Sequence, residues 1–532
     1  MYPLTDALRM AYQNGEDDET LEPLVLVDKK GQPLGRIKDG DYVIFYNIRG
    51  EREIELTQAF TDENFSYFPR QFIKTHWATM IEYHPDLNVR VAFQPLGTIN
   101  DTLSETVSRM GLNQIKIVES EKQVHLTHYL NGKRNEPFPN EKWNIIPSLE
   151  FNGYLPPPTM RADVVANAAI DALFDPSMDL IVINWANVDV LGHSEDRDAI
   201  KQAVSAVDTQ LGRVIKVAIE MNVTCIVTAD HGTVEKWYYP DGSIDTGHTD
   251  SPVPFVLVTP NLTSLKLQND GSLIDVAPTV LYLLGIEKPE AMKGHSLLIK
   301  GTDGQNDRTR VALIILDGWG MREDPWGNLI VESETPVMDE LMDNHPTTRL
   351  EASGEAVGLP NDVPNRPGKT VGNSEVGHLH LGAGRIIPSD RLRIENAIID
   401  GSFYQNPTFR WAMEGAKREK VNLHLLGIIS FYSSHGSVEH LKALLRMAKN
   451  LGVPHVFIHG MLGRRGEKPE SGAIYVKDIE VECERLGIGQ FVSLIGRFWS
   501  LDREKNWDRI KKSYHWLVNG VGRPVHASEI RK

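Results

Sequence analysis

Short apolar runs recur along this chain of 532 residues, alternating with stretches whose apolar positions return every three or four residues. The runs at 43–45, 180–183, 224–227, 311–316 and 421–427 are too short for helices and read as buried strands. Residues 199–220 and 438–450 carry the helical spacing and predict amphipathic helices. Strand and helix in alternation predict an α/β protein with parallel sheets flanked by helices. Such sheets place their sites at the carboxyl ends of the strands. Asp189, Asp230 and Asp317 each come at or just after a strand-like run, where ligands would converge.

Length makes two domains the expectation, because a single core stops growing well before 532 residues. An apolar content of 41% and a charged content of 24% are those of a soluble globular chain. With 56 basic and 72 acidic residues the formal charge is −16, which argues against nucleic acid and anionic membranes as partners. No run of about 18 apolar residues suggests a membrane span, and residues 1–6 lack the basic and apolar regions of a signal peptide. The two cysteines, Cys225 and Cys483, make no disulfide framework, and a cytoplasmic location is expected. Cys225 lies inside an apolar run and reads as a buried small residue. Residues 300–310, KGTDGQNDRTR, are the best linker candidate.

Chemistry concentrates in residues 371–378, VGNSEVGH, which place Ser374 in a glycine-bounded turn. A serine hydroxyl is a weak nucleophile until a base or a metal takes its proton. Metal-type groups occur elsewhere: Asp189 and His193 at ligand spacing, adjacent Asp230 and His231, His248, and Asp317 at the end of an apolar run. Together they suggest a serine alkoxide held by a two-metal cluster, which is phosphoryl-transfer chemistry. Ser374 also suits the N-cap of a helix opening at Glu375, and a helix N-terminus would help bind phosphate.

The segments GNSEVGH, LDGWG, TADHG and NVDVLGH resemble motifs of the cofactor-independent phosphoglycerate mutases, members of the alkaline phosphatase superfamily. The resemblance covers nearly the whole chain in an unusual order. LDGWG, with Asp317, follows TADHG and His248, where the family has it near the N-terminus, so the chain looks circularly permuted. The resemblance implies a phosphatase-like metal domain over residues 97–388. It implies a smaller α/β transferase-like domain split into 1–96 and 389–532, with the family's ends joined at 300–310 and the present ends close together.

The resemblance assigns Asp189, His193 and His248 to one divalent ion and Asp230, His231, Asp317 and Ser374 to the other. Mn2+ suits this mixture of carboxylate and imidazole, with Mg2+ and Co2+ as alternatives. Lys122 would neutralise the transferring phosphoryl group. Arg49, Arg52, Arg465, Arg497 and Arg503 would hold the substrate anions, a task for which arginine is suited. His435 would shuttle the proton at the glycerate hydroxyl. The implied activity is interconversion of 3-phosphoglycerate and 2-phosphoglycerate in a monomer, through a phosphoserine at Ser374 and without bisphosphoglycerate.

Two departures from the family stand out. Phe431, Tyr432, Ser433 and Ser434 replace the usual residues before His435, and Gly466 stands where the family has an aspartate. Another carboxylate, such as Glu439 or Glu467, could serve instead, or the chain binds the glycerate differently, takes another phosphorylated acid or has lost mutase activity. Residues 361–369 form an insertion-like stretch before the serine motif. Two other readings stay open: a metal-dependent phosphatase or phosphomutase acting on another small phosphorylated acid, and a catalytically silent regulatory relative.

Overall fold

The computed structural model describes residues 2–150, 155–260, 265–299, 308–361, 368–430, 435–463 and 471–526. The chain divides into two compact units, Leu96–Ser389 on one hand and Met1–Pro95 with Asp390–Lys532 on the other. It runs through β1 (Leu24–Val27), β2 (Tyr42–Phe45), β3 (His76–Ile81) and β4 (Arg90–Phe93) in the two-segment unit. The continuous unit follows with β5 (Gln114–Glu119), β6 (Glu141–Ile146), β7 (Leu180–Trp185), β8 (Val223–Thr228), β9 (Val253–Val258), β10 (Gly271–Ser272), β11 (Arg310–Leu316) and β12 (Thr347–Glu351). The chain returns to the two-segment unit for β13 (Leu423–Ile428), β14 (Val456–Leu462), β15 (Gln490–Gly496) and β16 (Arg523–His526).

In the continuous unit the sheet order is β10-β12-β9-β8-β11-β7-β5-β6. Its centre, β8-β11-β7-β5-β6, is parallel throughout. Every residue of β7 and β8 is buried, as the continuous apolar runs require of strands covered on both faces. Cys225 lies inside β8 and is wholly buried. The helix Arg197–Glu220 starts at the Asp196 side chain, which accepts the Ala199 amide. It buries Ile200, Ala203, Val204, Val207, Leu211 and Val214 at the spacing of one helical face.

The expectation of parallel sheets holds for this centre and fails at its flank. β9 runs antiparallel to β8, and β12 antiparallel to β9. A short apolar run has no periodicity that distinguishes the two directions, because burial on both faces removes the alternation.

The two-segment unit orders its strands β16-β1-β15-β14-β13-β2-β3-β4. From β15 to β4 all neighbours are parallel, and β1 runs antiparallel to β15. The unit has its own core, from Leu4 and Val43 to Leu444 and Leu517. β16 lies parallel beside β1, and Arg523 is bound to Glu16 near the first helix, Pro3–Gln13.

Candidate metal and phosphoryl-transfer site

Four adjacent parallel strands of the continuous unit deliver the charged groups. Lys122 ends the short turn Ser120–Lys122 directly after β5. Asp189 sits in the one-turn helix Asn187–Gly192 after β7, Asp317 follows β11, and Asp230 follows β8 after one residue. Ser374 is the first residue of the helix Ser374–Ala383. The cap is Asn373, whose side chain accepts the Val376 amide, rather than Ser374 as the sequence suggested. The serine hydroxyl is thereby left to the charged cluster.

Glycine makes the approach of these segments feasible. Gly318 has φ +84°, and a Cβ there would lie 2.9 Å from the Asp189 backbone. A Cβ at Gly377 would lie 2.6 Å from the Asp230 carbonyl.

Lys122 Nζ lies 2.6 Å from Asp189 Oδ2, Asp317 Oδ1 and Ser374 Oγ. Burial works against its ammonium, yet Asp317, Asp189 and Asp230 outweigh that and raise its pKa above the usual range. Burial likewise pushes Asp189 up, and Lys122, His248 and His231 overturn it, holding the carboxyl well below its ordinary value. Asp230 is lowered in the same way by His231, His378 and Lys122 against its burial. His231 Nε2 lies 3.0 Å from Ser374 Oγ.

The side chains form candidate ligand sets with donor atoms within 4.8 Å of one another: Asp189 with His193 and His248, and Asp189 with His231 and Asp317. The first set passes a direct chemical test. His193 Nδ1 bonds the Thr246 carbonyl at 2.8 Å and His248 Nδ1 the Gly372 carbonyl at 2.9 Å. A carbonyl only accepts, so each Nδ1 carries a proton. The two Nε2 atoms lie 3.2 Å apart, and they lie 3.5 and 3.2 Å from Asp189 Oδ1. Two imidazole nitrogens and a carboxylate oxygen meeting at one point form a donor set that suits a divalent ion. Asp230 lies beside the second set, its buried Oδ2 3.5 Å from His231 Nε2.

A third candidate set, Asp230, Asp317 and His378, includes a histidine to which the motif reading gave no role. Both ring nitrogens of His378 are engaged. Nδ1 meets the Ser374 carbonyl at 2.9 Å and Asp230 Oδ2 at 3.2 Å, while Nε2 faces Asn184 Nδ2 at 3.0 Å. The same Asn184 nitrogen donates to Asp317 Oδ2 at 2.9 Å. Asn184 and His378 therefore orient two carboxylates. Their signal in the sequence was position alone, inside β7 and one helical turn after Ser374.

In the two-segment unit the remaining candidates issue from the carboxyl ends of β2, β13 and β15. Arg49 Nε donates to Glu51 Oε1 at 2.6 Å, and Arg503 pairs with the same carboxylate. Arg52 Nη1 donates to the Leu501 carbonyl at 3.1 Å. Arg497 Nε meets both oxygens of Glu19 at 2.9 and 2.8 Å. His435 is buried, and its Nδ1 lies 2.9 Å from Glu53 Oε1. The carboxylate beside His435 is thus Glu53, which the sequence reading missed, whereas Glu439 bonds Lys442 at 2.8 Å. Arg464, Arg465, Gly466, Glu467, residues 431–434, most of the 300–310 linker, residues 362–367 and the extreme ends lie outside the described residues. Among the described residues no helix is long and apolar enough to cross a membrane.

Residues 29–288 match the family model of the metalloenzyme superfamily. Residues 394–532 match that of the N-terminus of the BPG-independent phosphoglycerate mutases. A 2,3-bisphosphoglycerate-independent phosphoglycerate mutase of Thermomicrobium roseum is 39% identical over 311 residues, covering 56% of this chain and 58% of the relative. The protein of that name from Clostridioides difficile is 38% identical over 299 residues, with coverage of 56% and 58%. The chain thus spans a little over half the length of these relatives. A solved structure of the Leishmania mexicana phosphoglycerate mutase at low cobalt concentration aligns with 51% of this chain and 53% of its own, at 31% identity and a TM-score of 0.37.

Proposed function

We propose that this protein interconverts 3-phosphoglycerate and 2-phosphoglycerate through a phosphoserine at Ser374, without bisphosphoglycerate. The observation that carries the reading is the meeting of Ser374 Oγ with Lys122 Nζ and the Asp189 and Asp317 carboxylates beside two histidine-containing ligand sets. The names of the relatives supply the substrate.

Asp189, His193 and His248 would hold one divalent ion, and Asp230, His231, Asp317 and Ser374 the other, with Mn2+ the metal we expect. Such ions lower the pKa of a hydroxyl and neutralise phosphoryl oxygens. Lys122, kept protonated by three carboxylates, holds its ammonium against the serine oxygen and the incoming phosphoryl group. The amides at the start of the helix Ser374–Ala383 add partial positive charge at the same place.

In the first half-reaction the Ser374 oxygen, its proton lost to solvent beforehand, bonds phosphorus. The glycerate oxygen leaves and takes the proton held at His435 Nε2. In the second half the other glycerate hydroxyl returns a proton to His435 Nε2 as its oxygen bonds phosphorus and Ser374 leaves. Arg49, Arg52, Arg465, Arg497 and Arg503 would hold the carboxylate and phosphoryl anions. We take the working protein to be a cytoplasmic monomer.

A coupled assay for 2-phosphoglycerate with Mn2+ and no bisphosphoglycerate tests the reading. Turnover that disappears on chelation and returns with Mn2+ is expected. Release of inorganic phosphate alone would make the protein a phosphatase.

We also infer that the chain order is permuted. Supporting this, the match to a family N-terminus falls at residues 394–532, after the metalloenzyme match, and β16 lies beside β1. A chain joined from 532 to 1 and opened within 300–310 should retain the activity, and loss of folding would count against the inference.

A further inference from the structure

We propose that Glu53 is the positioning residue for His435, supplying the carboxylate that sets the tautomer of the proton-transfer imidazole and stabilises its charged form. The inference rests on the reaction proposed above.

The geometry is that of a carboxylate–imidazole dyad. Glu53 Oε1 lies 2.9 Å from His435 Nδ1, and both side chains are almost fully removed from solvent, 0% and 3% exposed. A carboxylate accepts and does not donate, so Nδ1 carries the proton and the lone pair of the neutral ring falls on Nε2. Nε2 is the atom that must give a proton to one glycerate oxygen and take one from the other. When it is protonated, the ring is cationic in a buried place, and the adjacent carboxylate compensates that charge.

Glu53 is itself held from three directions. Asn47 Nδ2 donates to Oε1 at 2.7 Å, and the Arg52 amide donates to Oε2 at 3.1 Å. Its own amide donates to the Gly50 carbonyl at 3.2 Å. Asn47 Oδ1 accepts the Ile428 amide at the end of β13, and the His435 carbonyl accepts the Ile48 amide at 2.7 Å. One asparagine thus ties the segment after β2, with Glu53, to β13, whose following segment bears His435. Among the described residues Tyr83 also feels Glu53, and its phenol donates to the Phe45 and Asn47 carbonyls at 2.9 Å. Its pKa is raised well above the ordinary value by burial and by Glu53, so it stays neutral and does not compete for the carboxylate as a charge. A buried glutamate satisfied by one amide side chain, one backbone amide and one imidazole is built for orientation.

The experiment uses the full chain with Glu53→Gln and the milder Glu53→Asp. Imidazole nitrogen NMR, with His435 assigned through His435→Gln, reads the dyad without substrate. The wild-type ring should be protonated at Nδ1 when neutral. Its titration midpoint should fall by about one pH unit in Glu53→Gln and by less in Glu53→Asp. In the mutase assay, kcat should fall at least about 100-fold in Glu53→Gln. The alkaline limb of kcat/KM, where His435 loses the proton it must give, should move to lower pH with the NMR midpoint, and Glu53→Asp should recover part of both. An unchanged His435 titration overturns the dyad whatever the activity. A kcat loss with an unmoved alkaline limb makes Glu53 a support for the fold and also overturns the proposal. Absence of phosphoglycerate interconversion in the wild type defeats the proposed function instead, and the NMR result still decides the dyad.

Discussion

The candidate phosphoryl-transfer cluster and the candidate anion-binding arginines handle charge in different ways. In the cluster, on the continuous unit, the ionic groups are buried and bonded to one another. Lys122 touches two carboxylates and the serine, and Asp189, Asp230 and Asp317 are at most 5% exposed. In the two-segment unit the side chains of Arg49 and Arg503 are 45% exposed, and Arg49, Arg503 and Arg497 are held by Glu51 and Glu19. A buried cluster whose charges compensate one another is preorganised and keeps its geometry before substrate arrives. An exposed arginine paired with a carboxylate is adjustable, because such pairs are worth only about 0–1 kcal/mol. On the proposed function, the contrast divides the work: bond-making would use the fixed charges, and recognition of a small anion the exchangeable ones.

Removing the nucleophile gives the largest expected break. Ser374→Ala should lower phosphoglycerate interconversion at least about 10 000-fold, because the covalent step is lost rather than weakened. The fold should persist, since Lys122 keeps both carboxylates. Mass spectrometry of quenched wild-type protein should place the phosphoryl group on the peptide containing Ser374. Activity within tenfold of wild type in the alanine variant would mean that the preorganised cluster is not where bonds are made.

A smaller effect should come from the groups that orient the cluster. His378→Gln removes the ring that links Asn184 to Asp230. Affinity for one of two Mn2+ ions should fall by roughly 10- to 100-fold, the usual cost of losing such a support. The other ion, at Asp189, His193 and His248, should bind within threefold of wild type. Calorimetric titration of the metal-free chain reads both. Equal losses at the two ions would show a general collapse of the cluster rather than a local orienting role.

How much of this was legible follows the same division. Asp189, Asp230 and Asp317 could be read because each follows a recognisable apolar run, and carboxyl ends of neighbouring parallel strands meet in space. Their partners Asn184 and His378 carry no comparable mark, since an asparagine inside a strand and a histidine inside a helix are equally at home as packing residues. Glu53 was hidden differently. It follows Glu51 and Arg52 in a charged stretch whose arginines alone carried a motif, and the pairing of β2 with β13 brings it to His435. The direction of β9 was beyond pattern reading because both of its faces are buried. Long-range pairing, rather than local preference, holds the missing information.

Acid should blur the contrast between the units. In the two-segment unit a buried chain runs from Asp41 Oδ2 through His424 and His459 to Ser493 Oγ, with contacts of 3.0, 3.0 and 2.8 Å. Burial lowers His424 despite Asp41, and burial, Arg36 and His424 hold His459 well below its usual value. Folded, these rings stay neutral. Unfolded, they take up protons near pH 6.5. The unfolded chain therefore binds more protons below that pH, and stability that is complete above it is lost as pH falls, by up to about 1.4 kcal/mol per pH unit for each ring. Burial acts with the same sign in the continuous unit on His125 and His380, lowered to about 3 and about 4. Amide exchange in β13–β15 and in β7, β8 and β11 should accelerate together between pH 6.5 and 5. Protection independent of pH in β13–β15 would mean that the buried chain takes up protons without cost.

The smallest effect tests whether the exposed arginines are exchangeable. Glu51 bridges Arg49 and Arg503, so an incoming phosphoryl or carboxylate group must displace it to gain both guanidiniums. Displacement costs little at these exposures, because water and salt already screen the pair. Glu51→Gln should therefore lower KM for phosphoglycerate by about threefold at low ionic strength, with kcat nearly unchanged, since the arginines would bind the starting and transition states alike. The advantage should vanish as added salt screens the charges in both proteins. The opposite sign is equally informative. A KM that rises in Glu51→Gln would show that Glu51 holds Arg49 and Arg503 in place for the substrate. Recognition would then be as preorganised as the phosphoryl-transfer cluster, and the difference between the two units would be one of exposure alone.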